Sequence, residues 1–115
     1  MEQVQRLIEE FITACMRLQE SEEAGDYKTT NLQYDKLKKI RANLRTIGKH
    51  AFEEIIPLIS NENIYVRYNA AFSIIPIEPE KARNTLNEIA NSRGIIAFTS
   101  KMTLQEWDNG NLKFD

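Results

Sequence analysis

The second half of the chain repeats the helical pattern of the segment before it, with an offset of about thirty positions. The residues of the first copy and their counterparts in the second are Ile55, Ile56, Ile59, Val66, Phe72 and Ile74, echoed by Thr85, Leu86, Ile89, Ile96, Met102 and Leu104. Each copy is typical of a helix, a short polar turn and a second helix. A repeat of this length built from a helical pair predicts hairpins that stack on one another.

Apolar residues spaced three and four positions apart predict six helices in all. The first ends at Gly25, and the others cover about 27–47, 49–60, 64–75, 78–93 and 95–107. Pro57 predicts a bend in the third helix, because proline forfeits a backbone hydrogen bond and crowds the preceding turn. No segment has the alternation of a β-strand. We therefore expect an all-α, HEAT/armadillo-like α-α superhelix of about six helices, forming a single domain over residues 1–115.

Composition limits where such a chain can reside. With 115 residues, of which 42% are hydrophobic, it can build one core. Charges interrupt every apolar run, so no segment reaches the ~20 apolar residues of a membrane span. The first residues resemble no secretion leader, which predicts a cytoplasmic protein. Cys15 is the only cysteine, so no disulfide can form within the chain, and its place on an apolar helical face predicts a core residue.

The residues for catalysis are not assembled in this sequence. His50 is the only histidine, and no glycine-rich phosphate loop or serine nucleophile motif is present. The adjacent acidic pairs are Glu9 with Glu10, Glu22 with Glu23, and Glu53 with Glu54. Neighbours in a helix point about 100° apart, so these pairs do not converge on one substrate. We expect no enzyme, no cofactor and no metal site.

Four segments carry a resemblance to a known family: Asn31–Leu37, Tyr65–Ala71, Ile77–Arg83 and Lys101–Trp107. They resemble a small bacterial family of HEAT-like helical domains known as domain of unknown function number two thousand and nineteen, over nearly the whole chain. Its motifs are patterns of helix packing, so the resemblance implies a fold rather than an activity. Members of such families resemble the immunity proteins that bacteria encode beside secreted toxins, which implies a toxin as partner.

Charge is unevenly divided between the first two helices. Residues 1–26 carry a net charge of −5 and residues 27–49 a net charge of +6. A basic stripe runs along the second helix at Lys38, Arg41, Arg45 and Lys49. Two interpretations remain open: the stripe balances the acidic first helix, or it contacts the phosphates of a nucleic acid, as in some HEAT-like folds. An isoelectric point near 5.5 and the lack of aromatic residues among these cations disfavour nucleic acid.

The favoured hypothesis is a non-catalytic protein-binding module, in its most specific form an immunity protein that neutralises a cognate bacterial toxin by direct binding. Acidic side chains would supply a field complementary to a basic toxin, and aromatic side chains would anchor the contact. The partner-binding candidates are Glu9, Glu10, Glu20, Glu22, Glu23, Glu53, Glu54, Tyr65, Tyr68 and Trp107. For each aromatic residue a place in the core is an equally good interpretation. The alternatives are a nucleic-acid-binding protein that uses the basic stripe and a general protein adaptor.

Overall fold

The computed structural model describes residues 2–113, and all regular structure within them is helical. The elements are α1 Glu2–Ala24, α2 Tyr27–Ile47, α3 Lys49–Phe52, which continues into a 3-10 helix at Glu53–Ser60, α4 Ile64–Ile74, α5 Pro79–Ala90 and α6 Ile95–Asp108. The predicted all-α class with six helices is therefore confirmed. No helix in the described residues is both long and apolar enough to cross a membrane.

The helices α1 and α2 form the first hairpin. α1 buries one face, consisting of Val4, Leu7, Phe11, Ala14, Cys15, Leu18 and Ser21. Gly25 adopts a positive φ of 71°, which reverses the chain at low steric cost. The Asp26 carboxylate then caps α2 by accepting hydrogen bonds from the Thr29 backbone N–H at 3.1 Å and the Thr29 hydroxyl at 2.7 Å. A hydrogen bond of 2.7 Å between the buried hydroxyls of Ser21 and Thr30 ties the two helices together.

The third helix changes from an α-helix to a 3-10 helix part-way along its length. The α-helical turn ends at Phe52, and residues 53–60 form the 3-10 helix that contains Pro57. Proline clashes with the carbonyl four residues before it, which is that of Glu53, and it has no N–H to donate there. The tighter 3-10 winding, in which bonds join residues three apart, avoids this arrangement. Pro57 thus lies in a segment where the helix type has changed, and the predicted bend stays a prediction.

The short helix α4 is the most deeply enclosed element. It packs against α1, the 3-10 helix, α5 and α6, and Val66, Ala70, Ala71 and Ile74 are fully buried. Asn63 caps its first turn by accepting hydrogen bonds from the backbone N–H groups of two residues that follow, at 2.8 and 3.1 Å. The small Ala70–Ala71 pair allows neighbouring helices to approach closely.

Arg67 joins the start of α4 to the turn before it. Its guanidinium donates hydrogen bonds to the carbonyl oxygens of Asn61 at 2.8 Å and Glu62 at 2.9 Å. These carbonyls would otherwise lack a helical partner, because they lie in the turn between two helices. The role of Arg67 is thus to hold the shape of this turn.

The helices α5 and α6 form the last hairpin, which packs on α4. Pro79 occupies the first turn of α5, where its missing N–H costs little. The buried Ser100 hydroxyl of α6 donates to the Leu86 carbonyl of α5 at 2.7 Å. Across the next interface, the hydroxyls of Tyr68 and Thr103 share a hydrogen bond of 2.6 Å, which joins α6 to α4.

One arrangement of helices creates a concave surface. α1 packs closely against both α2 and α4, whereas contacts between the backbones of α2 and α4 are sparse. The two helices therefore stand side by side on a common support with a space between them. That space is the α2/α4 groove, whose lining is described below.

Candidate functional site

The α2/α4 groove has a volume of about 480 Å³, a size typical of ligand-binding clefts in proteins. Its lining consists of Tyr34, Asp35, Lys38 and Arg41 from α2, Tyr68, Asn69 and Phe72 from α4, and Lys113 after α6. One wall is therefore rich in charged side chains, and the opposite wall is largely aromatic. Such a combination suits a ligand that carries both negative charge and apolar surface.

The charges in the groove are predominantly positive. Among the described residues that line the groove, Lys38, Arg41 and Lys113 are cationic and Asp35 carries the single carboxylate. Lys38 and Lys113 are exposed at its rim, whereas Arg41 is only 7% exposed. Because the low-dielectric walls of a cleft focus the field of its charges, the groove attracts anionic groups more strongly than the net charge of −2 would indicate.

The guanidinium of Arg41 is held by α4. Its Nη1 lies 3.5 Å from the Ser73 hydroxyl oxygen, and its Cζ lies 5.5 Å from the centre of the Phe72 ring. Ser73 in turn donates to the Asn69 carbonyl at 2.6 Å, and the Asn69 side chain donates to the Tyr65 carbonyl at 2.9 Å. The cation at the base of the groove is thus positioned by a chain of polar contacts in the core.

Two aromatic rings form much of the α4 wall. Tyr68 and Phe72 lie with ring centres 6.5 Å apart and planes inclined by 25°. Tyr68 is 6% exposed, and burial raises the pKa of its phenol above the ordinary value. It therefore stays neutral at physiological pH and contributes apolar surface, while its hydroxyl is occupied by Thr103.

Glu22 of α1 joins α2 and α4 near the base of the groove. It accepts hydrogen bonds from the hydroxyl of Tyr65 at 2.8 Å and from that of Tyr34 at 3.4 Å. Burial, together with the nearby Glu22 carboxylate, raises the pKa of both tyrosines. Glu22 is a structural residue in this position, because one carboxylate connects three helices.

The predicted basic stripe is not a continuous exposed row, because Arg41 is buried. Within residues 2–113, no ion pair joins Lys38, Arg45 or Lys49 to an acidic residue of α1. Arg41 instead contacts Ser73 and Phe72 of α4. The interpretation of the stripe as long-range charge balance for α1 stays a prediction.

The predicted acidic residues are distributed over two elements and do not line the α2/α4 groove. Those on α1 are Glu9, Glu10, Glu20, Glu22 and Glu23, and those on the 3-10 helix are Glu53 and Glu54. Glu10, Glu22 and Glu53 are half-buried, and the other four are exposed. The exposed members remain available for long-range attraction of a basic partner.

The three predicted aromatic anchors differ in how much surface they offer. Tyr65 is only 4% exposed, which leaves little of its ring for a partner. Tyr68 lines the groove, as described. Trp107 is half-buried, with the Arg83 guanidinium 4.2 Å from its ring centre, and Arg83 also forms an ion pair with Asp108 at 2.9 Å. The structure therefore places these residues on three separate surfaces.

Several groove residues were not predicted from the sequence to face a ligand. These are Tyr34, Asp35, Asn69, Phe72 and Lys113. Asn69 and Ser73 had a detectable signal, since they are polar residues four positions apart in a helix that is apolar on most sides. Polar groups buried in this way require partners. Lys113 had none, because its position depends on how the chain leaves α6.

No cluster of three or more histidine, cysteine, aspartate or glutamate side chains able to hold a metal ion occurs in the part of the chain that the structure describes. The groove offers cations and aromatic surface, so its chemistry is that of binding an anionic group.

The fold and the groove define a small all-α protein with a cleft between two helices supported by a third. The chain belongs to the family DUF2019, a domain of unknown function, whose model matches residues 5–108. It is also similar to the protein RPA1889 from Rhodopseudomonas palustris CGA009, known from a crystal structure. That protein is 22% identical, the match covers 97% of this chain and 93% of that one, and the TM-score of 0.88 shows a shared fold. Comparison with curated proteins gave no match.

Proposed function

We propose that this protein is a non-catalytic module that binds an acidic segment of a protein partner in the α2/α4 groove. The observation that carries the proposal is the composition of the groove: three cations and one carboxylate, beside the aromatic wall of Tyr68 and Phe72. An acidic side chain would meet Lys38 and Lys113 at the rim, while a neighbouring apolar side chain would lie against the aromatic wall. Electrostatic complementarity of this kind favours specificity and rapid association.

The wider architecture supports the same proposal. We infer that the hairpins stack as a HEAT-like solenoid, since successive helices pack on one another and the two predicted copies bury equivalent positions, such as Val66 and Ile96. Stacked helical pairs present extended concave surfaces, which these proteins use for binding.

A short acidic peptide tests the proposal directly. We expect the capped tripeptide Glu-Phe-Asp to bind weakly and to perturb the amide NMR signals of α2 and α4. Lys38→Glu should weaken this binding about tenfold, because it replaces an attraction by a repulsion at the rim. Affinity should also fall as salt rises, since the rim charges are exposed to screening.

The matched control is Lys39→Glu, which makes the same charge change on an exposed residue of α2 that does not line the groove. Helical content by circular dichroism should be the same in both variants. If the tripeptide perturbs no signals in the groove, or if both variants bind equally, the groove is not the binding site.

The more specific hypothesis, an immunity protein, rests on a different surface. Glu9, Glu20 and Glu23 are exposed along α1 and could attract a basic toxin domain. We expect the protein to form a one-to-one complex with a toxin domain encoded beside its gene and to restore growth when the two are co-expressed.

Charge reversal on α1 tests this surface. Glu20→Lys combined with Glu23→Lys should slow association with the toxin domain about tenfold and change dissociation less, because exposed charges chiefly steer encounter. Glu22 is left intact because it accepts hydrogen bonds from Tyr34 and Tyr65. Glu88→Lys on the exposed side of α5 serves as the control. A folded protein that neither co-purifies with the toxin domain nor protects the cell excludes that toxin as partner.

A further inference from the structure

A second cavity is lined in part by Arg45, which lies one helical turn beyond Arg41 along α2. It has a volume of about 340 Å³ and is lined by Arg45, Lys49, Phe52, Glu53, Pro76 and Ile77. Arg45 follows Arg41 by four residues, so the two side chains emerge from the same flank of α2. Pro76 and Ile77 follow Phe72 of α4 by about one turn. The second cavity, here called the far cavity, thus continues between the same two parts of the chain.

The two cavities share the same division of chemistry. On the α2 side the cations of the groove are Lys38 and Arg41. Those of the far cavity are Arg45, near the end of α2, and Lys49, at the start of α3. On the other side lie the aromatic wall of the groove and then Pro76 and the exposed Ile77. Among the residues that the structure describes, Asp35 and Glu53 are the only carboxylates that line the two cavities. Cations therefore recur along the α2 side of both cavities and apolar side chains recur on the other side, while Asn69 and Lys113 of the groove and Glu53 of the far cavity are further polar lining residues.

We propose that the α2/α4 groove and the far cavity form one continuous site for an extended protein segment in which acidic and apolar residues alternate. This inference rests on the proposed function and specifies its ligand. In an extended chain, successive side chains point to opposite sides. Acidic residues would then face the cations of α2, while the residues between them would face Phe72 and Ile77.

The length of the ligand follows from the helix. Tyr34 and Arg45 are the first and last residues of α2 that line the two cavities, and they are eleven residues apart. This separation corresponds to about 16 Å at ~1.5 Å per residue. An extended segment rises ~3.3 Å per residue, so about five residues fill this distance. A peptide of seven residues reaches both cavities, and one of three residues reaches one of them.

Nucleic acid fits this surface less well than a peptide. Bases bind single-stranded sites by stacking on accessible aromatic faces. Tyr68 and Phe52 are each 6% exposed, and the guanidinium groups of Arg41 and Arg45 lie over the rings of Phe72 and Phe52, respectively. Little aromatic surface is therefore accessible for bases to stack on, whereas the exposed Ile77 and the half-buried Phe72 suit apolar side chains of a peptide.

Peptides that differ only in length or order test the proposal. The alternating heptapeptide Asp-Phe-Glu-Leu-Asp-Phe-Glu is expected to bind about tenfold more tightly than a peptide of the same composition in which the acids are grouped at one end. Lys49→Glu should weaken the heptapeptide about tenfold and leave the tripeptide Glu-Phe-Asp unaffected, whereas Lys38→Glu should weaken both. Lys49 is exposed and begins the short α3, so an acidic residue is tolerated there.

Each contrary result has a separate meaning. One such result is that Lys38→Glu weakens the binding of both peptides, whereas Lys49→Glu and Arg45→Glu weaken the binding of neither. The two cavities are then not one site, and only the groove proposal stands. If the alternating and grouped peptides bind equally, the extended register is wrong. If no groove variant affects any peptide, the proposed function fails as well. If a single-stranded oligonucleotide binds more tightly than the heptapeptide and loses affinity in the same variants, the ligand is nucleic acid.

Discussion

Replacement of Ala70 by aspartate is expected to unfold the protein or nearly so. Ala70 is fully buried in α4, the helix that contacts four other elements. A carboxylate at this position would lose its hydration and would crowd the helices that approach the Ala70–Ala71 pair. The cost is roughly several kcal/mol, against a total stability of about 5–15 kcal/mol for a domain of this kind. Circular dichroism and urea unfolding measure the loss.

The matched control is Ala42→Asp, which places the same side chain on an exposed position within α2. It should lower stability by less than about 1 kcal/mol, since surface substitutions have small effects. Equal stability of the two variants would show that the Ala70 side faces solvent, and the packing described for α4 would then be incorrect.

The second large effect concerns the single thiol. Cys15 is fully buried, and burial raises its pKa from the ordinary 9.0 to about 12, despite the opposing influence of the Arg41 charge and a hydrogen bond from Asn69. Only the thiolate reacts with disulfide reagents. At pH 8 a thiol of pKa about 12 is ionised on the order of a thousand times less often than one of pKa 9.0. Labelling of native Cys15 should be slower by at least that factor.

The measurement carries its own control. In Ala42→Cys the added thiol is exposed on α2, so one thiol should react rapidly and the other only after urea is added. Equal rates for the two thiols in the native protein would show that Cys15 is accessible.

The raised pKa of Cys15 also predicts lower stability at alkaline pH. The folded state keeps the thiol proton more tightly than the unfolded chain, so stability is full below pH 9 and falls as pH rises from 9 towards 12.

The helices themselves could be read from the sequence because their burial follows the spacing of apolar residues. Val4, Leu7, Phe11 and Leu18 repeat at helical intervals and are all buried. Even the irregular third helix was partly predictable, since Pro57 indicates a disturbance without saying whether the chain kinks or tightens. Local chemistry determined these features, so local patterns were sufficient to predict them.

The groove could not be predicted in the same way. It exists because the backbones of α2 and α4 make few contacts with each other, and no residue pattern in either helix encodes that separation. The place of Arg41 illustrates the limit: on a helical projection it lies at the edge of the apolar face beside Leu37 and Leu44, so both an exposed and a buried position fit the sequence. Arg41 is buried against Ser73 and Phe72, which lie more than thirty residues away in the sequence.

The support of both groove walls by α1 has a consequence for how related proteins can diverge. The cleft is supported from behind by the packing of α2 and α4 on a third helix, and the contacts across it, from Arg41 to Ser73 and Phe72, are made by buried or half-buried side chains. Exposed lining residues such as Lys38 and Lys113 can therefore be exchanged during evolution without collapse of the scaffold. Selection can alter which molecule is recognised while the requirements for folding stay constant, so members of one family with this architecture can acquire different partners.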